Sequence, residues 1–370
     1  VIGSAEQRAY YPGIKYIISD EAEYHTEDRG VGVLVVRDCS TDTVAQAVRE
    51  YEGVTRKKDI GGMIRALRIE CPDVVASFGE DAAVIRHNSD EALLLAADGI
   101  WSRLMEADPF WAGYCAVLVN IHDIAAMGAK PLAMVDVLSV SDEKIRNEVT
   151  RGMVTASAQF GVPIVGGHLH PDTPYSVLDV AILGTARMDQ LIFSNTAQVG
   201  DRVIAAIDLE GRVHPSCILN WDSVTMKSPD QVRSQIRVME GLGRDRLVTA
   251  GKDISNPGII GTLGMLLEVS GKGAVIDLEA IPRPDLSALQ IPFELWVRMY
   301  PGMGFILTAR EEHVAAVCDR FAQVGITAAP IGVVTESRNL VVTYRDEETR
   351  VFDLDHNGIM RIFIEGEACR

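Results

Sequence analysis

The chain has 370 residues, enough for two domains of ordinary size, each with its own core. With 47% hydrophobic and 24% charged residues, its composition is that of a folded globular protein and excludes wholesale disorder. A formal net charge of −17 excludes the basic footprint that nucleic-acid phosphates demand, yet leaves nucleotides open, because one bound Mg²⁺ reverses the field locally.

No apolar run approaches the roughly 20 residues a membrane helix needs, and no signal peptide with a basic start and apolar middle is visible. The six cysteines (Cys39, Cys71, Cys115, Cys217, Cys318, Cys369) are scattered, without a C-x-x-C pair. That usage fits a reducing cytoplasm and suits neither a zinc site nor a disulfide framework.

Residues 1–30 lack periodicity and read as an arm or covering segment. A helix is expected from Thr41, where Thr and Asp precede Val44, Ala47 and Val48, and should stop near Gly53. The basic cluster Arg56-Lys57-Lys58 follows, then an amphipathic helix carrying Ile64, Leu67 and Ile69. Strands are expected at Val84-Ile85, Leu93–Ala97, Leu132–Val140 and Val177–Leu183. Between them lie a small-residue helix from Trp111 to Met127, stopped by Gly128, and a helix from Asp142 to Phe160 leading into a short strand at Ile164-Val165.

The turn Ala197–Asp201 marks the best domain boundary. Beyond it come a strand at Val203–Ile207, helices near 230–249 and 257–270, and strands near Ala274–Ile276, Gly304–Thr308, Ile331–Val334 and Leu340–Tyr344. The fold class is therefore α/β with mixed sheets. The expected division is an arm and helix at 1–55, a first domain at 56–196, a second at 197–346 and a tail at 347–370.

Acids set among small apolar residues recur where predicted elements end. Phe78-Gly79-Glu80-Asp81-Ala82-Ala83 is a turn with adjacent acids entering a strand; a solvated turn is its alternative reading. Leu93–Gly99 is a buried strand ending in Asp98-Gly99, which puts a carboxylate at its carboxyl edge. In Val119–Pro131, Asn120 and Asp123 share one helix face, and an Asp on an apolar helix needs a partner, either a metal or a hydrogen bond. Gathered carboxylates repel unless a cation sits among them, and Mg²⁺ typically uses one or two carboxylates plus substrate phosphates. The pattern suggests a Mg-nucleotide site.

The paired glycines of Val165-Gly166-Gly167-His168-Leu169-His170 would let backbone N–H groups approach a phosphate, with His168 and His170 able to ligate or donate. Lys252-Asp253-Ile254-Ser255-Asn256-Pro257-Gly258 should open a helix, with Ser255 or Asn256 as its cap or as an anion contact. Arg56-Lys57-Lys58 can grip phosphates or be a solvated basic turn; Lys58 is counted here among candidate nucleotide contacts. Cys369 near the chain's end is an exposed-thiol candidate.

Taken in order from about Val74 to Tyr344, these segments resemble the AIR-synthase-related superfamily. Among its characterised branches the likeness is greatest to thiamine-monophosphate kinase, through Gly79–Ala83, Asp98, the run Asp123–Gly128, Gly166-Gly167 and Asp253-Ile254-Ser255. The overall wording is nearer to proteins of the methanogenesis marker protein 2 type. The resemblance implies an N-terminal domain whose sheet pairs with a second subunit's in a homodimer, and a C-terminal α/β domain closing over ATP. It also implies phosphoryl transfer to, or activation of, a small-molecule acceptor. By matching position, Asp81, Asp98, Asp123 and Asp253 would hold Mg²⁺ with Glu80 beside them, while Asn120, Gly166, Gly167, His168 and Ser255 would lie along ATP. Asp98 and Asp123 would be the central catalytic ligands. The chain departs from the kinase in having His168 and Asn256 where the kinase has Asp, and Pro301–Phe305 without the acids of the kinase's thiamine pocket. Those departures admit a second reading, a nucleotide-binding regulator that has lost turnover.

Overall fold

The structure is a computed structural model describing residues 40–67 and 71–362; the arm at 1–30, Ile69, Cys39 and Cys369 lie outside the described residues. The chain opens with α1 (Thr41–Arg49), α2 (Glu52–Thr55), a 3₁₀ turn over Arg56–Asp59 and α3 (Ile60–Leu67). Next come β1 (Val74–Ala76), β2 (Ala83–Arg86), β3 (Glu91–Ile100), α4 (Ser102–Ala107), α5 (Pro109–Ala126), β4 (Lys130–Ser139), α6 (Glu143–Phe160), β5 (Ile164–His170) and β6 (Val177–Arg187). These strands form one six-stranded sheet in the order β1-β2-β3-β6-β4-β5.

The second half begins with β7 (Arg202–Ile207), the hairpin β8 (Arg212–His214) and β9 (Cys217–Asp222), and α7 (Pro229–Arg244). It continues with β10 (Ala250–Asp253), α8 (Gly258–Ser270), β11 (Gly273–Asp277), α9 (Leu286–Leu289), α10 (Phe293–Trp296) and β12 (Gly304–Ala309). Last are α11 (Val314–Ala322), β13 (Thr327–Thr335), β14 (Asn339–Tyr344) and β15 (Glu347–Asp353). Seven of these strands form a mixed sheet in the order β10-β12-β7-β13-β11-β14-β15.

Alternation decides which face of the first sheet is covered. Ala92, Leu94 and Ala96 of β3 and Leu178, Val180 and Ile182 of β6 are buried with residues of α5 and α6 in one core. That core continues into Ile204, Ala206, Phe305 and Leu307 of the second sheet, so α5 is sandwiched between the two sheets. A helix enclosed on all sides should be apolar nearly all round, and α5 is, apart from Asn120, His122 and Asp123 near its end. Its start is fixed by Pro109 in the first turn and by the Asp108 carboxylate, which accepts the Trp111 N–H at 3.0 Å. It ends at Gly128, whose φ of +68° is the left-handed conformation that lets the chain turn back into β4. The opposite face of the second sheet carries the other core, built from α1, α8 and neighbouring segments.

Two boundaries differ from expectation. Val44, Ala45, Val48, Tyr51 and Val54 are buried in the second core, so the helix at 41–49 belongs with the C-terminal sheet. Residues 347–353, expected in a tail, are β15, the edge strand beside β14. Its sequence Glu-Glu-Thr-Arg-Val-Phe-Asp is charged at one end, as exposed edges commonly are, and so hides its strand character. None of the described helices is long and apolar enough to cross a membrane.

Candidate functional site

Four elements deliver acids to one place. Asp81 precedes β2, Asp98 lies near the end of β3, Asp123 sits on the last turns of α5, and Asp253 closes β10. Carboxylate oxygens of Asp81, Asp123 and Asp253 lie within 4.8 Å of one another. Asp98 adds its field: its charge is the second influence on Asp123, after burial, and both act to raise the Asp123 carboxyl. Asp98 keeps solvent contact, although burial is also what most raises its own carboxyl.

Local contacts explain the convergence. The Ala82 N–H points to the Met127 sulfur at 3.2 Å, pinning the Asp81 turn to the end of α5. Gly79, at φ +104°, supplies the turn before Glu80 and Asp81. The Glu80 carboxylate accepts the Ser194 N–H at 2.6 Å, and the Ser194 hydroxyl reaches the Gly251 carbonyl at 3.2 Å. The segment between the domains thereby ties the Glu80 turn to β10. On the other side, Asp253 stands opposite Phe305 in the β10–β12 ladder, and the Ile254 N–H donates to Gly304.

Burial pushes the Asp123 and Asp253 carboxyls well above the usual range, and neighbouring carboxylates push further. Two lysines oppose them. The ammonium of Lys252 is paired with Asp81, and both side chains are about fully buried, at 4% exposure each. Lys57 is half-buried; burial pulls its ammonium down, and the Asp98 carboxylate is the charge that most opposes this. Five carboxylates (Glu80, Asp81, Asp98, Asp123, Asp253) therefore face two ammonium groups, with the Arg56 guanidinium adding its charge at Asp98. One oxygen of Asp81 is buried without a hydrogen-bond partner among the described residues. An all-oxygen donor set with excess negative charge and an orphaned carboxylate oxygen is chemistry suited to a hard divalent cation.

The remaining sequence candidates divide. Asn120 is fully buried one turn before Asp123; its amide donates to the Ala116 carbonyl at 2.8 Å, and its carbonyl oxygen has no partner among the described residues. Ser255 follows Asp253 by two residues, and its N–H donates to Thr262 at 3.3 Å. It does not cap α8, nor does Asn256; Pro257 holds the capping position without a side-chain cap, and Asp253 precedes the helix on strand β10. Lys58 is exposed, and the 3₁₀ turn directs its neighbour Lys57 toward Asp98 instead.

Gly166, Gly167 and His168 do not form a loop after a strand. They lie inside β5, the outer edge of the sheet, where a strand with glycines needs only one partner. Gly167 is in register with Asp136, and through Val180 with Asp98, three strands and about 14 Å away. His168 is opposite Val137, on the other face of the sheet from Asp98, and its ring packs edge-on to His170. Lys252 is the site residue that sequence reasoning passed over, and within the basic cluster it is Lys57 rather than Lys58 whose charge bears on Asp98. Buried His122, beside Asp123, packs against Phe305 with neither ring nitrogen hydrogen-bonded among the described residues, and burial lowers its pKa to about 3.

Two packed sheets with acids converging from both domains into one cluster define a two-domain α/β protein of the AIR-synthase fold. The chain belongs to the AIR synthase related protein family: the family's N-terminal domain matches residues 79–186 and its C-terminal domain residues 198–345. An uncharacterised protein of Methanocaldococcus jannaschii is 45% identical over 316 residues, 84% of this chain and 96% of its own. The selenide, water dikinase of Colwellia psychrerythraea is 26% identical over 223 residues, 56% of this chain and 62% of its own. Among solved structures, Thermotoga maritima PurL complexed with ATP superposes with a TM-score of 0.70 at 19% identity. That match covers 85% of this chain and 52% of PurL, so the chain spans about half the PurL length. The family thus includes ATP-using relatives.

Proposed function

We propose that the chain is a Mg²⁺- and ATP-dependent enzyme that transfers the γ-phosphoryl group to a small metabolite, or activates one of its oxygens for displacement. The observation that carries this reading is the meeting of Asp81, Asp123 and Asp253 carboxylates, drawn from both domains, with more negative charge than the two lysines balance. Asp98, Asp123 and Asp253 would hold Mg²⁺, with Glu80 and the Lys252-paired Asp81 beside them. When bound, Mg²⁺ supplies charge neutralisation to phosphate oxygens. Lys57, at the mouth of the cluster, would meet the triphosphate, and the free carbonyl oxygen of Asn120 faces an unfilled hydrogen-bonding role in the same helix turn. Gly166 and Gly167 would contact ATP only if the nucleotide runs along the strand ends toward β5.

The outer face of the first sheet supports a homodimer. Leu95, Val135, Val137 and Leu183 project from it, each at least 37% exposed, on neighbouring strands. An apolar face of that kind marks an interaction surface. The alternative, a nucleotide-binding regulator without turnover, is favoured by the placement of His168 away from Asp98 and by the lysine seated in the acid cluster.

Calorimetry with MgATP, followed by ATP-consumption assays across a metabolite panel, separates the readings. Binding with acceptor-dependent consumption is the expected result. Binding with no consumption across the panel favours the regulator, and no binding at millimolar MgATP removes both.

A pH experiment tests the electrostatics independently. Asp123 and Asp253 have raised pKa values in the folded chain, so the folded state holds protons more tightly than the unfolded state. Their contribution to metal-free stability therefore declines as pH rises from about 4 through the raised values. The histidines work the other way: His122 and His214 have lowered values, and their contribution is lost as pH falls below about 6.5. Lys57, whose ammonium burial pulls down, works the same way as the histidines. Asp123→Asn removes one of the raised carboxyls, so its melting temperature in chelator should fall less with rising pH than that of the wild type, and saturating Mg²⁺ should flatten the wild-type decline. A decline in Asp123→Asn as steep as in the wild type would contradict the charge assignment.

A further inference from the structure

Lys252 immediately precedes Asp253 on β10 and is 3% exposed. A lysine is almost never fully buried unless paired, because dehydrating an ammonium costs several kcal/mol. Here the pairing is with Asp81, and the charges of Asp253 and Glu80 act in the same direction. The ammonium thus sits inside the carboxylate cluster, on one oxygen of a residue whose other oxygen has no partner among the described residues.

We propose that Lys252 is a protein-borne cation that takes the place of one divalent ion in this cluster. It neutralises Asp81 in the nucleotide-free chain and leaves Asp98, Asp123 and Asp253 to hold the metal. The inference rests on reading the acids as a metal site. An ammonium carries one charge and touches a carboxylate oxygen at about 2.8 Å, whereas Mg²⁺ carries two and binds oxygens at about 2.0–2.1 Å. A lysine in the cluster therefore repels incoming metal while supplying less charge than a second ion would. Removing it should strengthen metal binding, the opposite of what loss of a merely structural contact would do.

The test is Mn²⁺ binding to the nucleotide-free protein, followed by electron paramagnetic resonance, for wild type, Lys252→Met and the double variant Asp81→Asn/Lys252→Met. Lys252→Met should bind Mn²⁺ about tenfold more tightly or better, since a positive charge within contact distance of the site is gone. The double variant, which loses one charge of each sign, should return to within about threefold of wild type. Should Lys252→Met fold only when Mn²⁺ is present, recovery of its circular dichroism by Mn²⁺ supports the same conclusion. Should it fail to fold even then, the double variant decides: wild-type affinity upholds the proposal, and a loss of about tenfold makes Asp81 a metal ligand and overturns it. Unchanged or weaker Mn²⁺ binding by folded Lys252→Met also overturns it. Absence of Mn²⁺ binding by wild type would instead remove the metal-site reading itself.

Discussion

Asp123→Asn should lower metal-dependent ATP turnover by about 100- to 1,000-fold, while raising the melting temperature of the metal-free protein. Both effects come from one carboxylate. Asp123 projects from a helix that is mostly buried, and burial, Asp98, Asp253 and Asp81 all disfavour its charge, while Lys252 favours it. Asparagine keeps the shape and removes the charge, so the helix no longer carries an unbalanced anion into its core. The same change removes a ligand that charge neutralisation of phosphate requires. Turnover assays with thermal melts in chelator check the pair of outcomes. A variant that is equally active, or inactive and less stable, contradicts the role assigned to Asp123.

Gly152→Ala should destabilise the chain by about 3 kcal/mol or more, through the crossing of α5 and α6. A methyl group at Gly152 would overlap the Phe110 carbonyl oxygen and stand 2.8 Å from the Tyr114 nitrogen. The contact is reciprocal: a methyl group at Gly113 would overlap the Val149 carbonyl oxygen and stand 3.1 Å from the Met153 nitrogen. These obstacles are backbone atoms, which cannot rotate away, so the helices must part. Because α5 also carries Asn120 and Asp123, the displacement should reach the acid cluster and weaken Mn²⁺ binding as well. Urea denaturation measures the first effect; an unchanged midpoint would show that the two helices tolerate wider spacing.

Much of the fold was legible because its strands alternate and its long helices carry their own stop signals. Asp108 and Asp142 cap α5 and α6 through side-chain acceptors, and Gly128 and Gly161 end or follow them with positive φ. The strand Ala250–Asp253 was not legible: all four residues are buried, and Ala-Gly-Lys-Asp shows neither alternation nor β-branched residues. Its burial comes from β12 and the interdomain segment, neither of which is local in sequence. The hairpin of β8 and β9 was missed for a similar reason, since it is short and its ladder shifts register near His214.

In the site, Asp81, Asp98 and Asp123 stood out because acids among apolar residues demand an explanation, Asp253 entered through the family resemblance, and the chain does gather them. Lys252 carried no such signal. A lysine in a loop-like sequence reads as solvated, and only the fold reveals that it is buried against Asp81. Lys57 and Lys58 differ by one position; the pitch of a 3₁₀ turn, which no charge pattern specifies, decides which faces Asp98. Gly166-Gly167 resembled a phosphate loop because paired glycines serve both loops and edge strands, and sheet pairing settled the choice.

The most direct measurement is anomalous diffraction from crystals soaked with Mn²⁺ and a non-hydrolysable ATP analogue. A manganese peak in direct contact with carboxylate oxygens of Asp123 and Asp253, bridged to the analogue's phosphates, is the predicted result. Nucleotide bound elsewhere, or phosphates in the cleft with no metal on either aspartate, would contradict it.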